Sequence, residues 1–234
     1  MKFIRNGMLY ALMASPYAPA MVDISKSVPD TDKPLILCCP TAMSEQAQKN
    51  AVTFLEKGGK LILMPTLPTM DEEYGPCTIL KDYVDITEVD YDNGHVPPIV
   101  VNGCKNAIYY TTVKSSIEEK DTIVHGRNRD DNRALIVEKE VGNGTVIFGT
   151  TSFTFSLYTQ VDMMESLLLR LGAEEVVTHS NRHVFTTCFK GKNGERAIFL
   201  MNLYSSSNKT NVTWNGNTIQ DICLEPMEVK MIVR

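Results

Sequence analysis

No stretch of this sequence approaches the roughly 18 consecutive apolar residues of a membrane span. Positive charge is not in excess either: 23 Lys and Arg stand against 28 Asp and Glu, a formal net charge of −5. A nucleic-acid partner calls for a basic surface, so none is expected. The single basic cluster, Arg127-Asn128-Arg129, is answered at once by Asp130 and Asp131 and reads as a solvated loop. Internal repeats and low-complexity tracts are absent. So are the glycines of a phosphate loop: Gly142-Asn143-Gly144 has two glycines and joins two strand-like runs, which makes it a turn.

What is present is enough apolar residue, 43% of 234, for one large domain or one medium and one small. The six cysteines include the adjacent pair Cys38 and Cys39. Neighbours in a strand point to opposite faces, so these two do not fit one bridge framework. Cys188 and Cys223 fall in strand-like runs, where a free thiol behaves as a small hydrophobe. Reduced thiols in a cytoplasmic protein is the reading. The Asn-x-Ser/Thr matches at Asn143, Asn208 and Asn211 then carry little meaning. Met1 to Arg5, the apolar residues Gly7 to Ala14 and Ala18-Pro19-Ala20 imitate a signal peptide. The alternative is a surface helix packed on the sheet.

Lys33 to Pro68 reads as one βαβ unit. Leu35 to Cys39 is a continuous apolar run, the mark of a strand covered on both faces. Ser44 is a good N-cap, and Ala47, Ala51, Phe54 and Leu55 form one buried helical stripe. Gly58-Gly59 supplies a left-handed stop before the buried strand Leu61 to Met64. Pro65 to Pro76 is loop-like, followed by a short helix from Cys77 to Tyr83. Short strands are expected at Ile99 to Val101, Ala107 to Val113 and Thr122 to His125. A hairpin joins Leu135 to Glu140 with Thr145 to Phe148. A second long helix, Leu157 to Leu171, buries Val161, Met164, Leu168 and Leu171. Beyond Glu174 the pattern is alternating and turn-rich, with turns such as Lys192-Asn193-Gly194 and Asn215-Gly216-Asn217. The expected architecture is therefore α/β, an open doubly wound, mostly parallel sheet over residues 1–174, followed by a small antiparallel β-sandwich over 175–234.

The order of these pieces resembles one protein class. LILCCPTAMSEQAQKNAVTFLEKGGKLILMP resembles the segment of bacterial β-galactosidases in which a strand is followed by M-S-E and a Gly-Gly turn into the next strand. VGNGTVIFGTTSF resembles the later G-x-G-x-V hairpin of that domain. LLLRLGAEEVVTHSNRHVFTTCF resembles its exit helix, and GERAIFLMNLYSSSNKTNVTW with LEPMEVKMIV resembles the closing β domain. The resemblance runs from about Gly7 to Arg234. It points to the non-catalytic C-terminal part of glycoside hydrolases of families 42 and 35. It implies a class I amidotransferase-like α/β domain that mediates trimer or dimer assembly, partnered by a catalytic barrel, with a galactoside as the ligand of the whole. Such enzymes catalyse with two glutamates on an (α/β)8 barrel of about 250 residues, for which this chain has neither length nor repetition. The expectation is a chain cut from a longer reading frame.

Several residues remain as chemical candidates. The amidotransferase-like fold places a Cys nucleophile on a tight strand-to-helix turn with a downstream His. After Met64 this chain has Pro65-Thr66-Leu67-Pro68 instead, and prolines remove the amide donors of an oxyanion hole. Cys39 is the remaining nucleophile candidate, without a glycine elbow, against the alternative of a buried structural thiol. Asp71, Glu72 and Tyr74 lie at a strand's C-terminal end, where open α/β sheets bind ligands. They suit a sugar contact, a substrate rim or a contact to a neighbouring subunit, against the alternative of a solvated acidic loop. Tyr204 and Trp214 suit a carbohydrate platform, against packing within a small sandwich. His179 and His183 give H-x3-H, but four residues of strand span about 13 Å, too far for one ion. His95 and His125 form no pattern. No metal or other cofactor is implied. The functional expectation is an assembly module of a β-galactosidase-like enzyme, with a Cys39-dependent enzyme or a carbohydrate-binding module as alternatives.

Overall fold

The structure is a computed structural model and describes residues 2–39, 41–91, 98–110, 112–113, 115–191, 195–214 and 216–233. His95 and the turn at 192–194 lie outside the described residues, as does Asn215. By its internal contacts the chain forms two compact units, Met21–Gly172 with Met1–Arg5, and Ala173–Arg234 with Asn6–Ala20. The N-terminal helix α1 (Lys2–Met13) thus groups, from Asn6 onward, with the terminal β unit and not with the α/β unit that the sequence reading assigned it to. The bond that ties it there is specific: the Pro16 carbonyl accepts the N–H groups of both Val176 and Val177.

In the first unit β1 (Leu35–Cys38), α2 (Glu45–Glu56) and β2 (Lys60–Met64) form the expected βαβ unit with parallel strands, Leu35 opposite Leu61 and Cys38 opposite Met64. Ser44 caps α2 by accepting the Ala47 N–H, and Gly58, at φ +89°, turns the chain out of it. Then come α3 (Ile79–Val84), β3 (Glu88–Asp90), β4 (Ile99–Val101), β5 (Thr112–Val113), β6 (Ser115–Ile117), β7 (Ile123–Asn128), β8 (Ala134–Val141), β9 (Gly144–Gly149), β10 (Thr151–Ser152) and α4 (Tyr158–Arg170).

Among the described residues the main sheet runs β1-β2-β9-β8-β6-β3, with β7 paired to β8 and β4 to β7. It is parallel over β1, β2 and β9, and antiparallel from the β8–β9 hairpin outward. The expected open sheet with parallel strands therefore holds for one half, and short antiparallel strands build the other. β1 is an edge strand, and its four residues are half-buried. Its apolar run predicted cover on both faces, and the edge position is why it has less. Arg127 and Asn128 belong to β7: Asn128 is buried, and Arg127 makes a bidentate pair with Glu119. The solvated-loop reading of that cluster is corrected accordingly. The core packs Phe54 and Leu55 of α2 against Leu61, Leu63, Val137, Val146 and Phe148 of the sheet.

Among the described residues the second unit holds two three-stranded antiparallel sheets. One is β11 (Val177–His179), β14 (Asn208–Trp214) and β15 (Asn217–Leu224). The other is β12 (Val184–Lys190), β13 (Arg196–Asn202) and β16 (Val229–Val233), with β13 in the middle. Their inner faces share one core, Val184, Ile198 and Leu200 from one sheet against Val212, Trp214 and Leu224 from the other. No helix among the described residues is long and apolar enough to cross a membrane.

Candidate functional site

The segments that follow β1 and β2 carry four of the residues the sequence singled out, Cys39, Asp71, Glu72 and Tyr74. Two segments that leave these strands are laced together by backbone: the N–H groups of Thr69 and Met70 donate to the Thr41 carbonyl, and the Met43 N–H donates to Met70. Gln48, fully buried on α2, fixes the lacing from below. Its side-chain amide donates to the carbonyls of Met43 (2.9 Å), Met70 (3.3 Å) and Cys77 (3.3 Å), and its Oε1 accepts the Leu80 N–H at 3.2 Å. A buried amide is costly unless paired, and this one is paired at both ends.

On that base sits the acidic turn. Oδ1 of Asp71 accepts the N–H groups of Glu73 (2.9 Å) and Gly75 (2.8 Å), closing a tight loop. Glu72 reaches to the start of α2, where Oε2 accepts the Glu45 N–H at 3.1 Å. A carboxylate at that position meets both an orphan donor and the positive end of the helix. The structure thus brings Asp71, Glu72 and Tyr74 into one turn and gives the two acids structural work. Tyr74 is left at φ +64° with 76% of its surface exposed. A left-handed backbone at a bulky residue is sustained here by the Asp71 bonds around it.

Cys39 follows β1 nearby, but it is buried, and burial, with Cys38 beside it, pushes its thiol up to about 12. The nucleophile is the thiolate, and such a thiol supplies almost none near neutrality. Burial places Cys39 with the structural-thiol alternative rather than with the nucleophile.

The platform pair separates. Trp214, 2% exposed, is at the centre of the terminal core, so its place on a sugar platform is corrected: it packs the sandwich. Tyr204 is on the surface, stacked on His183 at 4.7 Å between centroids and lying parallel to Phe185 at 6.4 Å. His183 and His179 have different partners. His179 bonds the Asn181 carbonyl through Nδ1, and burial above all holds it below the usual imidazole value. Among the described residues no group of three or more His, Cys, Asp or Glu is placed to hold a metal ion.

One constellation escaped the sequence reading. Glu138 of β8, buried, receives Nε2 of His125 at 2.8 Å and both Nε (2.8 Å) and Nη2 (2.9 Å) of Arg170 from α4. Burial acts to raise the Glu138 carboxyl, but the Arg170 and His125 bonds outweigh it and hold it below the ordinary carboxylate range. The available signal was Glu138 following directly on the apolar run Leu135 to Val137. Its partners are 13 and 32 residues away and follow no motif. Beside His125 a cavity of about 270 Å³ is lined by Asn102, Arg127, Asn128, Arg129 and Asn132, among others. Arg127 is already paired with Glu119, and Arg129 lies 3.5 Å from Asp130.

Three comparisons bear on this geometry. An exo-β-D-glucosaminidase of Pyrococcus horikoshii is 41% identical over 44 residues, which are 19% of this chain and 6% of that protein. A β-1,2-glucosyltransferase of Ignavibacterium album is 22% identical over an alignment of 241 positions covering 97% of this chain and 32% of that protein. The crystal structure of the β-galactosidase from Bacillus circulans sp. alkalophilus shares the fold, with a TM-score of 0.71 at 15% identity over 99% of this chain and 37% of that one. The chain therefore spans about a third or less of the length of these three proteins. The model of the family described as GLMA-like, second domain, matches residues 1–122, more than half of the 234, and the chain belongs to that family.

Proposed function

We propose that this chain is a non-catalytic accessory module of an enzyme that acts on β-glycosides, joining subunits and shaping the rim of a catalytic barrel's active site. The observation that carries the reading is the correspondence of 99% of the chain, from one end to the other, with about a third of a β-galactosidase. The α/β unit is taken as amidotransferase-like in ancestry, with its nucleophile position empty of chemistry. Cys39 is buried and its thiol raised, while Asp71 and Glu72 are occupied with a turn and a helix end. Tyr74 suits the rim: an exposed aromatic ring on a braced turn offers a flat apolar face to the C–H side of a pyranose or to a neighbouring subunit.

The test is an assay of the purified chain on aryl β-D-galactosides and β-D-glucosaminides. No turnover above buffer is expected. Turnover that disappears on heat denaturation would overturn the non-catalytic reading, and alkylation of Cys39 abolishing it would substitute the thiol enzyme.

A further inference from the structure

The two sheets of the terminal unit have unlike outer faces. On β14 and β15 the outward positions are Lys209, Asn211, Thr213, Thr218 and Cys223, the polar surface expected of an antiparallel sheet with one wet side. On the other sheet the outward positions are apolar but for Thr187. The register aligns Thr187 of β12, Phe199 of β13 and Met231 of β16 in one row, with Phe189, Ala197 and Val233 in the next. Phe185, Met201 and Val229 make the third row. None of these nine positions carries a charge. Phe189, Val229, Met231 and Val233 are each more than half exposed. Tyr10 of α1 meets the Phe185 ring edge-on at 5.6 Å, Tyr204 lies parallel to it, and the exposed Met227 donates its N–H to the Tyr204 carbonyl. The apolar surface therefore continues past the end of the sheet.

We propose that this outer face of β12-β13-β16 is the contact through which a second copy of the chain docks, sheet face against sheet face. The proposal rests on the assembly part of the functional reading and names its surface. Three features select this occupant. The exposed parts of these side chains total on the order of 700 Å², close to the ~800 Å² per partner of a standard interface. The face is charge-free, so a two-fold related copy brings no unpaired charge into the contact, and two stacked sheets pack at about 10 Å. Edge-to-edge addition is disfavoured, because Lys230, exposed on the edge strand β16, sits in register with Leu200 on the inward side. A charge at that position is a common guard against strand addition. A sugar would find no hydrogen-bonding side chain on the face except Thr187.

The experiment compares the full chain with the double variant Phe189→Thr, Met231→Thr and with the control Gln220→Lys, exposed on the other sheet, by light scattering across dilution. Threonine keeps strand propensity and both sites are exposed, so folding is expected to survive and is checked by circular dichroism. Wild type and control are expected to self-associate, and the double variant to need at least tenfold higher concentration. Equal association by all three would overturn this surface and leave the assembly reading standing. A wild type that stays monomeric at every concentration would overturn both. A monomer that co-floats with phosphatidylcholine vesicles would assign the face to a lipid surface and overturn the second copy. Independently of any variant, the methyl resonances of Met227 and Met231 are expected to shift with concentration while those of buried Met163 and Met164 do not. Concentration-independent Met231 would overturn the proposal.

Discussion

Oε2 of Glu138, buried in β8, lies 2.8 Å from Nε2 of His125 on the adjoining strand β7. Arg170 closes the arrangement from α4 by binding both carboxylate oxygens. Because the folded carboxyl titrates below its unfolded value, the ionised form is the one the fold favours. Its stabilisation is complete above the unfolded carboxylate value and is lost as pH falls through the lower folded value. Glu138→Gln keeps the shape and removes the charge. The expected result in urea unfolding at pH 7 is a loss of about 1–3 kcal/mol. As pH falls below the unfolded carboxylate value the gap between variant and wild type should narrow. A gap that does not narrow below that value would contradict the assignment.

Gln48 is expected to matter more than its place on an amphipathic helix suggests. Gln48→Leu fills the same space but leaves the Met43 and Cys77 carbonyls and the Leu80 N–H without their side-chain partner, while the Met70 carbonyl keeps the Met43 N–H. Each stranded buried group costs about 1–3 kcal/mol, and relaxation of the loop should hold the total near 2–4. Hydrogen exchange should show the loss locally, over residues 69–80. Uniform destabilisation with unchanged local exchange would mean that Gln48 does not organise the acidic turn.

How much of this was legible in the sequence differs by scale. Apolar runs and glycine stops located β1, α2, β2 and the β8–β9 hairpin, because those are decided by neighbours along the chain. β3 (Glu88–Asp90) and β6 (Ser115–Ile117) were missed, since EVD and SSI have no alternating apolar pattern and are strands by pairing with each other. Trp214 and Tyr204 both read as aromatic candidates. Only the register separates them, putting Trp214 on the inward side of β14 opposite Asn217 and leaving Tyr204 beyond the end of β13. Asp71 and Glu72 were correctly placed on a turn after β2, but a linear sequence does not state that Glu72 finds Glu45, 27 residues earlier.

The β8–β9 turn allows a direct test of close packing. Gly142 takes φ +61°, and Val141 pairs with Gly144 across the turn. Any side chain at Gly144 would run into the backbone oxygens of Gly59 and Leu55, where β9 begins beside the end of α2. Backbone cannot rotate aside as a side chain can, so Gly144→Ala is expected to cost about 1–3 kcal/mol. Gly216→Ala meets no neighbouring atom and carries only the cost of its positive φ, +72°. The two midpoints, measured side by side in urea, should rank with Gly144→Ala the less stable.

The thiols separate the remaining functional alternative from the favoured one. Cys223 is exposed, whereas Cys39 is buried with its thiol pushed up to about 12. Alkylation proceeds through thiolate and needs access, so both factors act in the same direction. With iodoacetamide at pH 8 and mass-spectrometric mapping, Cys223 should label first and Cys39 only after denaturant is added. Opening of the region around β1 is then the rate-limiting event for Cys39, so its labelling rate should rise with urea in step with unfolding. If Cys39 instead labels first in the native chain, its surroundings must lower the thiol rather than raise it. The nucleophile would then be available, and the accessory reading would have to yield to an enzymatic one.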